Sequence, residues 1–346
     1  MEAAVFRGPF DIRLETVADP RIEESTDAIV RILASGICGS DLWSYRGLEE
    51  APEGQVMGHE WLGVVEDLGT DVDTLDEGDI VVAPFAFVDG TCAACRRGQP
   101  SLCEQGGAWG WGLDVGGGQA PRIRAVFADA TLVKLPAGSD QDASLLARVL
   151  PLTDVLPTGH YAAVCAGVGP GATVAIVGDG AVGLCAVLAA RRLGADRVFL
   201  LGRHEDRLRI GERFGADAVL RADDAGIETV RDETGGGADT VLECVGTQEA
   251  LDSALRAVRD GGALGYVGMP ATSPALPVPS LFERAISFRG GFAPARTFIP
   301  ELLPDVLEGS LDASPVFTHE LDLASVADGY RLMHEREAVK VLLRAG

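Results

Sequence analysis

One stretch constrains this fold more than any other: Val174-Ala175-Ile176-Val177-Gly178-Asp179-Gly180-Ala181-Val182-Gly183. An apolar β-type run feeds Gly-x-Gly-x-x-Gly and then an apolar helix, the context required of a dinucleotide-binding turn. In that reading Gly178 permits the tight turn, Gly180 lets backbone approach the pyrophosphate, and Gly183 packs helix on strand. The helix N-terminus at Ala181 and Val182 adds amide donors and a favourable dipole. The surrounding rhythm agrees. Strands at Thr173–Val177, Arg197–Leu201, Ala218–Leu220, Thr240–Glu243 and Ala263–Val267 alternate with helices at Ala181–Leu193, Glu205–Phe214 and Gln248–Val258. That alternation predicts a doubly wound parallel sheet, assigned to 151–290.

The flanking regions read differently. Short β-type runs (Ala28–Leu33, Leu62–Asp67, Asp79–Pro84) separated by glycine and proline turns predict a partly open antiparallel barrel over 1–150. The segment 291–346 has helical patterning and then an apolar strand, Ala338–Leu343, expected to return to that first domain. A 346-residue chain with 47% hydrophobic content can fill two cores. It has no apolar run of membrane-spanning length, and Met1-Glu2-Ala3-Ala4 lacks the basic flank of a signal peptide. The expectation is a cytoplasmic protein without membrane partners. A net charge of −23, with Lys134 and Lys340 the only lysines, also makes nucleic acid a poor partner. Such self-repulsion suits a salt-loving source; a GC-rich genome favouring arginine accounts for the composition equally well.

Seven cysteines in a chain of this length point to metal or redox roles rather than a disulfide scaffold. Cys165, Cys185 and Cys244 lie in apolar stretches and read as buried thiols. Cys38-Gly39-Ser40-Asp41 and Gly58-His59-Glu60 place a thiolate, an imidazole and a carboxylate in glycine-flanked turns, a donor set suited to zinc. A third ligand is needed, and Asp154 interrupts an apolar helix-like stretch, where burying it unpaired would be costly. A second cluster, Cys92-Ala93-Ala94-Cys95 with Cys103, has spacing that lets thiolates wrap one ion.

Together with Thr158-Gly159 and the ending Lys340-Val341-Leu342-Leu343-Arg344, these motifs resemble the zinc-dependent medium-chain alcohol dehydrogenases over essentially the whole chain. The resemblance implies an α/β protein, a GroES-like barrel domain joined to a Rossmann domain. It implies that Cys38, His59 and Asp154 hold a catalytic zinc, with Glu60 either a labile fourth ligand or a neighbour of the ligands. It makes Ser40 the first member of a proton relay. Asp154 resembles the bacterial and archaeal secondary-alcohol branch, where other members carry Cys or Glu. Leu42 and Trp43 stand where many relatives have a proton-relaying histidine. The family's structural-zinc lobe has four cysteines; here Asp89 fills the first position beside Cys92, Cys95 and Cys103. An Asp-Cys-Cys-Cys zinc site is preferred, and a metal-free lobe with reduced or disulfide-linked thiols is the alternative. A homodimer or homotetramer, joined through the edge of the nucleotide-binding sheet, is also implied.

The end of the second strand bears on the cofactor. The slot that holds an acid in NAD-binding relatives is Gly202, followed by Arg203, His204 and Arg207. Loss of the carboxylate and gain of Arg203 favour NADP(H) over NAD(H), since a guanidinium pairs with a 2′-phosphate. Val245, Val267, Gly268 and Arg344 complete the expected cofactor contacts. The substrate class is then a small alcohol or carbonyl compound. Trp43, Phe85, Phe87, Trp109 and Trp111 form a candidate aromatic lining that leans toward apolar or aryl alcohols. Polyols, sugars or amino-acid alcohols are the nearer alternative, and a non-catalytic NADPH-binding sensor the more distant one.

Overall fold

A computed structural model describes residues 1–270 and 273–345. The chain divides into two compact units: Met1–Asp154 with Pro294–Gly346, and Val155–Ala293.

In the first unit β1 (Glu2–Gly8) and β2 (Asp11–Thr16) form an antiparallel hairpin. There follow β3 (Ala28–Ile37), β4 (Glu60–Leu68), β5 (Ile80–Ala83), β6 (Ala86–Phe87), β7 (Gly107–Ala108), β8 (Arg122–Ala125) and β9 (Val133–Lys134). The second unit holds β10 (Thr173–Val177), β11 (Arg197–Gly202), β12 (Ala218–Arg221), β13 (Ala238–Glu243), β14 (Val258–Tyr266) and β15 (Ser287–Gly290). Two further strands, β16 (Phe317–Asp322) and β17 (Lys340–Arg344), belong to the first unit again.

The first unit's main sheet runs β16-β17-β3-β4-β5-β9, with β8 also on β3. Its β3, β4 and β5 pair antiparallel, and inward residues Val30, Ile32, Trp61, Val65 and Val81 fill one core. A second core gathers Ile37, Leu42, Tyr330, Met333, Val341 and Leu343. Strand β17 lies antiparallel to β3 and thereby brings Lys340 beside the end of β3. The predicted terminal strand therefore exists, shifted to Lys340–Arg344. Strand β16 was not anticipated. It is a half-buried edge strand, alternating between partly covered and exposed residues, with little apolar content to reveal it.

The second unit's sheet has the order β12-β11-β10-β13-β14-β15, parallel throughout. Strands β10, β11 and β13 are almost continuously buried, as a sheet covered on both faces requires. Val177, Phe199, Leu201, Val241 and Leu264 anchor its core, each such side chain contributing about 2 kcal/mol of burial. Cys185 is buried as expected, but Cys165 and Cys244 are only half-buried. Cys165 sits near the end of helix Val155–Ala166, and Cys244 just past β13, where the apolar run gives out. Among the described residues no helix is long and apolar enough to cross a membrane.

Candidate metal and cofactor sites

The end of β3 and the start of β4 face each other in register, Gly36 opposite Glu60. Cys38 leaves β3 in a turn whose amide donates to Asp41 Oδ2 at 2.9 Å, and helix Asp41–Tyr45 follows. His59 immediately precedes β4, after Gly58 at φ 101°. Asp154 lies between a single 3₁₀ turn, Leu150–Thr153, and helix Val155–Ala166, so a break in helical structure presents its carboxylate. The ligand atoms of Cys38, His59, Glu60 and Asp154 all lie within 4.8 Å of one another. Cys38 Sγ is 3.2 Å from Asp154 Oδ2, His59 Nε2 is 3.4 Å from the same oxygen, and Ser40 Oγ is 3.5 Å from His59 Nε2.

Burial and charge pull strongly on these groups. Burial, reinforced by the Asp154 charge, raises the Cys38 thiol. Burial opposes charge on His59, yet Asp41, Cys38 and Asp154 outweigh it and hold the imidazole well above its ordinary value. Burial likewise opposes the Asp154 carboxylate, but hydrogen bonding and charge from His59 keep it below the usual range. Glu60 is pushed up to about 7 by burial, against the pull of Lys340. Lys340 Nζ donates to Glu60 Oε1 at 2.6 Å and to the Ile37 carbonyl at 3.2 Å, with both side chains 1% exposed. Glu60 Oε2 is buried with no hydrogen-bond partner among the described residues. The same oxygen occupies the space where a Cβ on residue 36 would stand, which explains the glycine there. A soft thiolate, an imidazole and carboxylates, crowded and incompletely satisfied, fit a zinc ion, whose charge would offset the burial penalty.

The second cluster is also assembled. Ligand atoms of Asp89, Cys92, Cys95 and Cys103 again lie within 4.8 Å of one another. Cys92 caps helix Ala93–Arg96, and its Sγ is 3.9 Å from Cys103 Sγ, with no disulfide formed. Asp89 Oδ1 accepts from the amides of Thr91 (2.6 Å) and Cys92 (2.8 Å), while Oδ2 is buried without a hydrogen-bond partner among the described residues. Those amides, that of Cys92 foremost, lower the Asp89 carboxyl to about 2. An anionic oxygen held among three thiols fits zinc as well.

The nucleotide-binding turn follows β10. Gly178 has φ 119°, and its amide donates to the Leu201 carbonyl at 2.9 Å. A Cβ on Gly183 would strike the Gly178 carbonyl, so close packing demands glycine there. Among the described residues, chain neighbours aside, nothing lies within 4 Å of a Cβ at Gly180, which leaves that side of the turn open for a ligand. Gly202 ends β11, and the corner beside it is not free of charge. Asp179 folds its carboxylate against Gly202, where a Cβ would come within 2.6 Å of Oδ2. Asp179 Oδ2 accepts from the amides of Arg203 (2.6 Å) and His204 (2.8 Å) and lies 3.0 Å from His204 Nδ1. Across the carboxyl edge of the sheet, Glu243 accepts from the amides of Val245, Gly246 and Val267. Val245 is exposed and Gly268 packs against Gly246. Arg344 lies in the other unit, where it binds Glu320 at 2.7 Å.

Comparison with known proteins shows the family of the chain. Residues 24–137 match the alcohol dehydrogenase GroES-like domain, and residues 181–308 match the zinc-binding dehydrogenase domain. A probable zinc-binding alcohol dehydrogenase of Mycobacterium tuberculosis is 36% identical, covering 99% of this chain and 88% of its own. Zinc-type alcohol dehydrogenase B of Aspergillus flavus is 31% identical, covering 100% and 82%. The chain belongs to the zinc-dependent medium-chain dehydrogenases. The solved structure of an alcohol dehydrogenase from Thermus sp. ATN1 superimposes on this dehydrogenase with a TM-score of 0.93 at 36% identity, covering 99% of both chains. The dehydrogenase is accordingly an α/β oxidoreductase with a GroES-like domain, a Rossmann domain, zinc and a nicotinamide cofactor.

Of the aromatic residues expected to line a pocket, Phe85 and Trp111 stand near His59, their ring centroids 6.4 and 6.3 Å away. Trp109 does not belong with them. It is fully buried, donates from Nε1 to the Pro84 carbonyl at 2.7 Å, and packs on Trp61 and Phe87. Trp43 is half-buried on its short helix. Sequence reasoning missed a buried chain behind His59. Tyr330 donates to Gln119 Oε1 at 2.9 Å, Gln119 Nε2 reaches Asp41 Oδ2 at 3.4 Å, and Asp41 Oδ1 lies 3.2 Å from His59 Nδ1. That last approach is an ion-pair distance without hydrogen-bond geometry, so Asp41 acts on His59 through its charge, on the side of the ring opposite the Nε2 that faces the cluster. The acid in Cys-Gly-Ser-Asp was the visible signal for Asp41; Gln119 and Tyr330 offered none.

Proposed function

We propose that this dehydrogenase transfers hydride between an alcohol or carbonyl substrate and NADP(H), with apolar or aryl alcohols as the preferred class. The observation that carries the reading is the buried convergence of Cys38, His59, Glu60 and Asp154, with Glu60 Oε2 unsatisfied. In this reading Cys38, His59 and Asp154 hold the catalytic zinc, and Glu60, shared with Lys340, stands as the exchangeable fourth donor. Asp89, Cys92, Cys95 and Cys103 hold a second, structural zinc. When bound, the catalytic zinc supplies the Lewis acid and the nicotinamide the hydride carrier.

The chain's own residues do the rest. Ser40, beside His59 Nε2, accepts the substrate hydroxyl proton and hands it onward. The Asp41 carboxylate, 3.2 Å from Nδ1, supports His59 through its charge. Phe85 and Trp111 exclude water and favour apolar substituents. Gly178, Gly180, Ala181, Val182 and Gly183 receive the pyrophosphate, and Arg203 with His204 and Arg207 supports the preference for NADP(H). Val245, Val267 and Gly268 border the nicotinamide in this scheme. The catalytic domain comprises 1–150 and 291–346, the cofactor domain 151–290, and the working protein is a cytoplasmic homodimer or homotetramer.

The test is a nicotinamide absorbance assay across small alcohols, aryl alcohols, polyols and their carbonyls, with NADP and NAD, with and without a strong zinc chelator. The expected result is chelator-sensitive turnover with NADP, highest on apolar or aryl substrates. Turnover that persists after complete zinc removal refutes the scheme. NADPH binding without turnover on any substrate replaces it with a binding role.

A further inference from the structure

We infer that Arg221 is a second determinant of cofactor choice, joining Arg203 in a cradle for the adenosine 2′-phosphate, and that Asp179 positions this cradle. The inference rests on the NADP(H) reading above. Arg221 ends β12 directly opposite Gly202 in the parallel register. Its Nη1 donates to the Arg203 carbonyl at 3.2 Å, so its guanidinium lies against the segment that follows β11. Arg203 and Arg221 are both exposed, and among the described residues neither side chain has a carboxylate partner. Arg209, Arg213 and Arg289 of the same unit also lack one among the described residues; what sets Arg203 and Arg221 apart is that they meet beside Gly202, at the end of β11. In the same unit Arg197, Arg256, Arg259 and Arg284 each hold an aspartate or a glutamate. Two adjacent cations left over beside a nucleotide-binding turn suit a phosphate, which accepts paired guanidinium hydrogen bonds.

The Asp179 carboxylate at this corner is turned away from that task. An acid borne on residue 202 would present its oxygens to the ribose hydroxyls. Here glycine at 202 leaves room for Asp179 to fold inward, and its Oδ2 is taken up by the amides of Arg203 and His204 and by the His204 ring. Asp179 therefore fixes the backbone from which Arg203 projects, and its charge is met locally rather than offered to the ribose. Glu205 and Asp206 sit in the first turn of the following helix, and neither pairs with Arg203 or Arg221 among the described residues.

The test is fluorescence titration of NADPH and NADH into the zinc-loaded full-length protein at one ionic strength. Wild type is compared with Arg221→Ala, Arg221→Gln, Arg203→Ala, Asp179→Ala and the Arg203/Asp179 double variant. Arg221→Ala is expected to weaken NADPH by about tenfold, the loss of one charge-assisted hydrogen bond, with Arg221→Gln close behind. NADH affinity should change little, which also shows that the variants are folded. In the Asp179→Ala background, Arg203→Ala should cost NADPH less than it does in wild type, an effect that simple destabilisation does not produce. If wild type prefers NADPH and Arg221→Ala keeps the same NADPH-to-NADH ratio, the role of Arg221 is overturned while the cofactor reading stands. Equal loss of both cofactors also overturns it. Equal wild-type affinities overturn the NADP(H) reading and this inference together.

Discussion

Lys340 and Glu60 meet at 2.6 Å with almost no exposed surface on either side chain. Burying two charges costs several kcal/mol per ion, and good geometry repays that only while both partners are present. Replacing Lys340 by methionine should therefore destabilise the protein by about 3 kcal/mol, because it strands a buried carboxylate. The double variant Glu60→Leu/Lys340→Met should regain most of that loss. Denaturant unfolding of the full chain checks both, and a double variant no more stable than the single contradicts the account. Lys340 is one of only two lysines in a chain that otherwise uses arginine, and it stands in an apolar strand. That oddity was visible in the sequence, but its partner, 280 positions away, was not. The four candidate zinc ligands were legible because each sits in a glycine turn or breaks an apolar run. The chain from Tyr330 through Gln119 to Asp41 was not, since each link joins distant segments through ordinary polar residues.

At the level of elements, β10 and β13 are held in register at their starts by Asp239. Its Oδ2 accepts from Thr173 N (2.8 Å) and Thr173 Oγ1 (2.7 Å), while Oδ1 meets Arg259. Burial works against the charged carboxyl, but the Thr173 and Arg259 hydrogen bonds prevail and hold it below its ordinary 3.8. A carboxylate lowered in the folded state adds stability that is complete above the unfolded-state value and is lost as pH falls through the folded-state one. Asp239→Asn should thus cost about 1 kcal/mol at neutral pH, and the gap to wild type should close below about pH 4. A gap that stays constant across that range contradicts the role of charge. The strands themselves were legible wherever burial is continuous, as in β10, β11 and β13. Strand β16 was not, because Phe-Thr-His-Glu-Leu-Asp reads equally well as loop until a neighbouring strand pairs with it. Trp109 was misread as a pocket residue for a related reason. Composition marks an aromatic cluster, and only packing tells which ring faces the core.

The whole molecule carries a net charge of −23. Unlike the buried pair above, this charge faces solvent, and its self-repulsion is weakened by salt on the scale of the Debye length. The melting temperature should therefore rise between low and molar sodium chloride. A flat curve would mean that the acidity bears little on stability. The account as a whole stands on two assembled metal clusters in one chain. Zinc content per chain, measured by mass spectrometry on protein purified without chelator, tests this most directly when wild type is compared with His59→Ala and Cys92→Ser. The prediction is two zinc ions in wild type, one for each ligand group, and the loss of a different one in each variant. A wild-type protein that turns over alcohols while holding no zinc would contradict it.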